Sequence, residues 1–254
     1  IEPVAPFVIG GDGRTLRRAL DIATAGNRLD ENAIGALFLA RGKAFGDVTA
    51  AANDLRAQVC GDTVSFAVNR NINYTNVCGY RCGFCAFSKG RLKANLRGAP
   101  YDLALDEIAR RAAEAWARGA TEVCLQGGIH PDYTGDTYLS IVRAVKDVAP
   151  EMHIHAFSPL EISQGAATLG LSVMDYLSEL KDAGLGSLPG TAAEILDDEV
   201  RAVLCADKLS TDEWLAVVET AHLVGLRTTS TIMHGHLERP INHARHLIRI
   251  RDLQ

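Results

Sequence analysis

The feature that most constrains the fold is a repeated junction in which a helix ends at a glycine and a strand soon follows. It occurs in ARGATEVCLQGG at Gly119, in DAGLGSLPG at Gly184 and in LVGLRTTSTIMHG at Gly225. A glycine after the last helical turn adopts the left-handed conformation that often ends a helix. Strands that alternate with helices in this way predict βαβ units around a parallel sheet, and so an α/β protein.

The same punctuation predicts five strands, at residues 64–74, 122–126, 152–157, 187–194 and 227–234. Side chains of a strand alternate between two faces, and here polar side chains gather on one of them. The residues expected on the polar face of the first three strands are Asn69, Asn71, Asn73, Cys124, Gln126, His153, His155 and Phe157. If helices cover the apolar faces, a polar lumen remains that could hold a polar substrate. The alternative is the ordinary accumulation of polar residues at strand ends.

Residues 1–61 are predicted to form a helical cover, with helices at residues 15–25, 30–41 and 47–59. Asp30 is the expected N-cap of the second helix and Gly42 its expected stop. Residues 62–254 are predicted to form the barrel, and Ser210 with Glu213 predicts a capping box within it. Because the chain opens on Ile1 and ends within a predicted helix, we expect it to be part of a longer polypeptide.

Composition excludes several classes of function. With 47% hydrophobic and 22% charged residues among 254, the chain is typical of a globular enzyme. A formal net charge of −5 argues against a nucleic-acid partner. No apolar run reaches the roughly 18–20 residues of a membrane span, and no secretory signal is visible, so we expect a cytoplasmic protein.

Six cysteines in a cytoplasmic chain indicate metal or redox chemistry before disulfides. The isolated Cys60, Cys124 and Cys205 are interpreted as structural thiols. The remaining three, Cys78, Cys82 and Cys85, form a C-x3-C-x2-C pattern directly after the first predicted strand.

Thiolates are the soft ligands that iron–sulfur clusters require. Three closely spaced cysteines can hold three irons of a cubane and leave the fourth open to a small molecule. A structural zinc site would need a fourth Cys or His nearby, and an electron-transfer cluster normally uses four cysteines. The loop supplies neither of these.

The stretch NRNINYTNVCGYRCGFCAFSKG resembles the radical S-adenosylmethionine (SAM) superfamily. The resemblance implies a partial (βα)6 TIM-like barrel with N-terminal helices, and a sixth strand that we expect to be missing by truncation. It also implies that Cys78, Cys82 and Cys85 bind a [4Fe–4S] cluster, whose open iron is chelated by SAM. The segment QGGI is similar to the superfamily's glycine motif, so Gln126, Gly127 and Gly128 are expected at the methionine amino group.

Further segments narrow the resemblance, namely NRNINYTNVC, CAF, EVCLQGGIHP, HIHAFSP, PGTAAEILDDEVR and TTSTIMHGH. They are similar to the FO synthase subunit that couples L-tyrosine to 5-amino-6-(D-ribitylamino)uracil in deazaflavin biosynthesis. The resemblance implies transfer of a 4-hydroxybenzyl group, a partner radical SAM subunit or domain that completes FO, and an electron donor such as ferredoxin or flavodoxin.

Two alternatives remain open at this stage. The menaquinone-pathway enzymes aminofutalosine synthase and dehypoxanthine futalosine cyclase share the cysteine loop and the CAF that follows it, although residues 189–201 favour FO synthase. A more distant alternative is a non-catalytic iron–sulfur or zinc protein on a similar barrel.

Other site residues are hypotheses. Glu194 could hold the ribose hydroxyls of SAM or part of tyrosine, or it could form a salt bridge with a nearby arginine. Lys208 could pair with the methionine carboxylate, or it could be solvated. His155 and His234 could move protons or bind substrate, or they could be satisfied core histidines. The asparagines of the first strand could bind the uracil or ribityl groups.

Overall fold

A computed structural model describes residues 13–89 and 98–254, and this part of the chain contains ten α-helices and five β-strands. The helices are α1 (Gly13–Thr24), α2 (Glu31–Phe38), α3 (Lys43–Cys60), α4 (Leu105–Ala117), α5 (Gly135–Val148), α6 (Pro159–Leu169), α7 (Val173–Ala183), α8 (Asp198–Leu204), α9 (Thr211–Leu223) and α10 (Pro240–Leu253). The strands are β1 (Asn69–Asn73), β2 (Glu122–Gln126), β3 (His153–Ala156), β4 (Ser187–Leu188) and β5 (Arg227–Thr228).

The five strands form one parallel sheet in the order β1-β2-β3-β4-β5, so neighbours in sequence are neighbours in the sheet. One row of the register runs through Asn71, Cys124, His155, Ser187 and Arg227. Parallel neighbours need a crossover connection, and at least one helix lies between each pair of strands. The predicted α/β class and parallel sheet are confirmed. The described residues contain no sixth strand.

The apolar face of the sheet is buried, as the alternation predicts. Ile72, Val123, Leu125 and Ile154 are each at most 1% exposed, in a core shared with residues of α4, α5 and α7. The opposite face stays open, and there Asn71 and His153 are exposed. The sheet therefore buries one face under helices and leaves a polar face available.

Several strand ends were predicted wrongly. β1 begins at Asn69, and the preceding Val64 and Phe66 are 87% and 86% exposed. β4 and β5 each end after two residues, much earlier than residues 194 and 234. Phe157 is buried and not on the polar face; it lies beyond β3 with a φ of +65°, where the alternation no longer applies.

The predicted N-terminal caps of two helices are confirmed by hydrogen bonds. Asp30 is the N-cap of α2 and accepts a hydrogen bond from the N–H of Ala33 at 2.8 Å. Ser210 and Glu213 form the predicted capping box of α9. The predicted stop at Gly42 is wrong, since α2 ends at Phe38 and Gly42 instead precedes α3.

The chain groups into two compact units. The first contains the described residues of 1–65 together with 195–200 and 233–254, and in it α10 packs against α2. The second contains the described residues of 66–194 together with 201–232, and it holds the whole sheet. A division after residue 61 stays a prediction. No helix within residues 13–89 or 98–254 has the length and apolar character that crossing a membrane requires.

Candidate cofactor site

A cavity of about 220 Å³ lies in the second unit, at the carboxyl edge of the sheet. Every residue that the sequence suggested for the cluster or for SAM lines this cavity, namely Cys78, Cys82, Cys85, Gln126, Gly127, Gly128, Glu194 and Lys208. Ligands of open α/β sheets bind beyond the carboxyl ends of the strands, where loops from several strands meet. The structure thus brings together segments that are more than one hundred residues apart in sequence.

The loop that carries the three cysteines, residues 78–85, is the cysteine loop, and on one side it is held by the segment after β2. The N–H of Ile129 lies 3.3 Å from the Sγ of Cys78, and the N–H of Gly79 donates to the carbonyl of Ile129 at 2.9 Å. On the other side, the N–H of Arg81 donates to Asp207 at 2.8 Å and that of Gly83 to Leu204 at 3.0 Å. Backbone contacts from two directions therefore hold the loop.

The two glycines after β2 allow this close approach. A Cβ on Gly127 would lie 2.6 Å from the Cζ of Tyr74. A Cβ on Gly128 would lie 2.8 Å from the carbonyl carbon of Val77 and 2.9 Å from the Cβ of Cys78. Because real Cβ atoms do not come so near, only glycine lets the β2 loop pack against the cysteine loop.

A partly buried ion pair forms another wall of the cavity. The Nζ of Lys208 lies 2.7 Å from Oε1 of Glu194, and the two side chains are 13% and 15% exposed. Burial alone would lower the pKa of Lys208, but the Glu194 carboxylate more than offsets this, so that pKa is raised. The ammonium also lies 5.6 Å from the ring centre of Phe84. Lys208 is therefore charged and not solvated, and the partner of Glu194 is a lysine, not an arginine.

The backbone that carries Glu194 is held from behind. Ala192 and Glu194 have φ values of +62° and +47°, which non-glycine residues seldom adopt. The guanidinium of buried Arg201 donates to the carbonyl of Ala193 at 2.6 Å and to that of Ala192 at 3.3 Å. These contacts keep the Glu194 carboxylate turned into the cavity.

The three cysteines do not converge on one point. Within the described ranges, no three His, Cys, Asp or Glu side chains are close enough to hold a single metal ion. A mononuclear zinc site needs such convergence, whereas a cubane offers a separate iron to each cysteine. Three thiols around one cavity are thus a donor set that suits a cluster.

Comparison with known proteins decides the family. The sequence profile described as Radical SAM superfamily matches residues 72–249. The chain belongs to the radical SAM superfamily. Its fold is also similar to that of methylornithine synthase (PylB), with a TM-score of 0.68, 19% identity and coverage of 92% of this chain and 64% of that one. The hydrogenase maturase HydG from Carboxydothermus hydrogenoformans has a TM-score of 0.69 and 17% identity, and the match covers 95% of this chain and 52% of that one.

Sequence relatives are much more similar. FO synthase of Streptomyces coelicolor is 48% identical over 252 residues, which cover 99% of this chain and 28% of that protein. The 5-amino-6-(D-ribitylamino)uracil–L-tyrosine 4-hydroxyphenyl transferase of Archaeoglobus fulgidus is 50% identical over 203 residues, covering 80% of this chain and 57% of that protein. The chain spans little more than a quarter of the first relative and just over half of the second.

Superfamily membership implies a [4Fe–4S] cluster and SAM as cofactors, and the cavity fits both. Cys78, Cys82 and Cys85 would supply thiols for three irons, and no fourth cysteine lines the described cavity. Burial raises the pKa of Cys82 to about 11, although Lys208 opposes this. Iron binding at Cys82 would therefore displace a proton from that thiol.

Sequence reasoning missed Glu161, a fully buried carboxyl group that also lines the cavity. It accepts hydrogen bonds from the N–H and Oγ of Ser158 at 2.6 and 2.7 Å, from the hydroxyl of Tyr74 and from the N–H of Gly127. Burial raises its pKa, although these hydrogen bonds oppose the rise. The S-x-x-E pattern of SPLE predicts a capping box on α6, but it gives no sign of the contacts with β1 and β2.

The two histidines proposed for catalysis do not line the cavity. His155 is on the polar face of β3, where its Nδ1 lies 2.7 Å from the Oγ of Ser187. His234 is exposed and belongs to the first unit. Their catalytic roles stay predictions, as does substrate binding by Asn69, Asn71 and Asn73.

Proposed function

We propose that this chain carries the tyrosine-coupling activity of FO synthesis. In this reaction the 4-hydroxybenzyl group of L-tyrosine is transferred to 5-amino-6-(D-ribitylamino)uracil, with a [4Fe–4S] cluster and SAM as cofactors. The observation that supports it is the 50% identity with the archaeal enzyme named for this transfer, which accompanies the similarity to FO synthase. The archaeal name specifies the tyrosine step, and so it favours that activity within FO synthesis.

The residues of the cavity divide the work of binding. When bound, the cluster and SAM supply a 5′-deoxyadenosyl radical, which is one-electron chemistry that side chains alone do not provide. Cys78, Cys82 and Cys85 would hold the cluster, and the backbone at Gly127 and Gly128 would meet the methionine amino group. Glu194 would accept hydrogen bonds from the ribose hydroxyls, and Lys208 would face the methionine carboxylate.

The protein must also control what the substrates do. Coupling removes a hydrogen atom from tyrosine, breaks its Cα–Cβ bond and joins the benzylic carbon to the uracil ring, while the amino-acid remainder leaves as an imine. The adduct must then lose one electron, which the oxidised cluster would accept, and one proton. A site for such a reaction has to orient both substrates and exclude water and stray hydrogen donors. The buried Glu161 and the partly buried Lys208–Glu194 pair would limit the access of water to the cavity.

The proposal extends to the setting of the enzyme. FO synthase relatives are several times longer than this chain, so a second radical SAM domain or subunit would complete the deazaflavin. A ferredoxin or flavodoxin would supply the electron. A cytoplasmic location fits free thiols and a cluster that needs reducing conditions.

The test uses the longest natural protein that contains this chain, reconstituted anaerobically with iron and sulfide. It receives reductant and SAM, with tyrosine plus the ribitylaminouracil in one reaction and menaquinone-pathway substrates in another. We expect a hydroxybenzyl–uracil adduct and 5′-deoxyadenosine in the first reaction, lost in Cys82→Ala and kept in Cys60→Ser. Cys60 is exposed and lies outside the cavity. Deoxyadenosine formed only with a futalosine-type substrate would overturn the proposal.

A further inference from the structure

A hydrogen-bonded trio lies on the polar face of the sheet, and neither the cofactor cavity nor the proposed chemistry uses it. The Oγ of Ser187 lies 2.7 Å from Nε2 of His153 and 2.7 Å from Nδ1 of His155. Glu122 places a carboxylate oxygen 3.9 Å from the same Nε2 of His153. Adjacent strands supply these groups, because Glu122 pairs with His153 in register and His155 pairs with Ser187.

The neighbouring Glu122 carboxylate favours one direction for these hydrogen bonds. A serine hydroxyl has one proton, so it can donate to only one of the two imidazoles and must accept from the other. The Glu122 carboxylate favours a proton on Nε2 of His153, which then donates to Ser187. Ser187 in turn donates to Nδ1 of His155, and this leaves the proton of neutral His155 on Nε2.

The trio consequently presents a hydrogen-bond donor to a ligand. Nε2 of His155 has no hydrogen-bond partner among the described residues, and it offers an N–H. Nδ1 of His153 lies against Gly186. Burial lowers the pKa of His155, which keeps this imidazole neutral.

The fold makes room for this arrangement. A Cβ on Gly186 would lie 2.6 Å from Nδ1 of His153, so an alanine before β4 would displace that ring. The side chain of His153 is 44% exposed and His155 is half-buried, so a ligand can reach both. The trio is therefore open on the polar face and not sealed in a core.

The trio is connected to the cofactor cavity by side chains of β2. Cys124 is the register partner of His155 and lies 3.6 Å from Nε2 of Gln126, which lines the cavity. Alternate residues of a strand share a face and are separated by roughly 7 Å. A ligand of modest length could thus reach from the cavity edge to the trio.

We propose that His153, Ser187 and His155 form a binding subsite for a neutral polyhydroxylated chain. A hydroxyl group can accept a hydrogen bond from the N–H of His155 and needs no charged partner to do so. Resting on the proposed function, this assigns the subsite to the ribityl chain of the uracil substrate, with the ring nearer the cavity. It also separates this substrate from tyrosine, whose ammonium and carboxylate groups need charged partners.

The test compares two ligands and two serine variants. Equilibrium dialysis of the cluster- and SAM-loaded protein would measure binding of 5-amino-6-(D-ribitylamino)uracil and of 5,6-diaminouracil, which lacks the chain. We expect Ser187→Ala to weaken the ribityl compound about tenfold and to leave diaminouracil unchanged, because only the chain reaches the trio. The control is Ser178→Ala, whose hydroxyl bonds the carbonyl of Met174 in its own helix. His155→Gln, checked for cluster content and melting temperature, should repeat the selective loss.

The outcomes separate this inference from the proposed function. Wild-type protein that binds the two uracils equally, or a Ser187→Ala variant that weakens both alike or neither, would overturn the subsite even if the coupling product forms. Wild-type protein that forms no coupling product would overturn the proposed function, while selective binding of the ribityl compound would still support the subsite.

Discussion

The ammonium of Lys208 and the carboxylate of Glu194 meet at 2.7 Å in the wall of the cofactor cavity, where both are largely shielded from water. Removing one member of a buried pair leaves an uncompensated charge, which costs about 3–5 kcal/mol. Here each side chain retains some exposure, so the cost should be smaller. The pair links the loop before α9 to the strained turn after β4. A change at either residue should therefore alter the affinity of the cavity for its ligand.

The first prediction concerns Glu194→Gln. We expect SAM to bind about tenfold more weakly, because the amide is a poorer acceptor for the ribose hydroxyls than the carboxylate is. Iron and sulfide content should stay unchanged, since the cysteines are untouched. Equilibrium binding of SAM to the reconstituted protein measures the effect. Glu219→Gln, on the exposed surface of α9, is the control, and normal SAM affinity in Glu194→Gln would remove the assignment.

The second prediction compares two glycines near the cysteine loop. Gly128→Ala should reduce cluster content several-fold, because the new Cβ would push on Val77 and on the Cβ of Cys78. Gly79→Ala should retain the cluster, because its Cβ would meet the carbonyl oxygen of Ile129 at an ordinary 3.8 Å. Iron analysis and the visible absorption of both proteins would show the difference. Equal cluster content in the two would mean that the loop can shift without loss.

The parts of the cavity lining that lie in single loops after strands could be predicted from the sequence. The cysteine pattern and the QGG segment are local, and each carries its chemistry in adjacent residues. Lys208 was predicted as a candidate SAM-binding residue, but its ion pair and its low exposure were not. Both depend on Glu194 and Phe84, which approach it only in the folded chain.

The features that could not be predicted from the sequence depend on segments that come into contact only in the folded chain. Glu161 is defined by Tyr74, Gly127 and Ser158, and these lie on three different strand–loop junctions. The strand ends were predicted wrongly for a similar reason. The alternation of apolar and polar residues continues in the sequence beyond the last residue that forms hydrogen bonds with a neighbouring strand. Phe157 illustrates this, since its left-handed backbone leaves the pattern one residue after β3.

The third prediction concerns the reactivity of the metal-free protein. Because burial raises the pKa of Cys82 to about 11, very little of it is thiolate near pH 8, and only the thiolate is alkylated readily. Iodoacetamide should therefore modify exposed Cys60 at least tenfold faster than Cys82. Peptide mass spectrometry against time would follow both sites. The difference should vanish in urea, and equal rates in the folded protein would contradict the burial of Cys82.

The fourth prediction is a pH dependence of stability that arises from Glu161. Its pKa is raised above the ordinary 4.5 because it is buried. Below pH 4.5 Glu161 is protonated in both the folded and the unfolded chain, so its contribution to the free energy of unfolding is fully present. As the pH rises, the unfolded chain loses the proton first, and the folded state is destabilised until its own carboxyl group ionises. The loss is about 1.4 kcal/mol for each pH unit between the two pKa values.

Glu161→Gln isolates this effect, because the amide cannot titrate. Denaturant unfolding at several pH values between about 5 and 8 would give the free energy of unfolding for both proteins at matched cluster content. We expect the wild type to lose stability relative to Glu161→Gln as the pH rises through this range. Glu219→Gln serves again as the control for removing a carboxyl group elsewhere. A wild-type advantage that grew with pH would mean that the hydrogen bonds from Ser158, Tyr74 and Gly127 outweigh burial and hold Glu161 ionised.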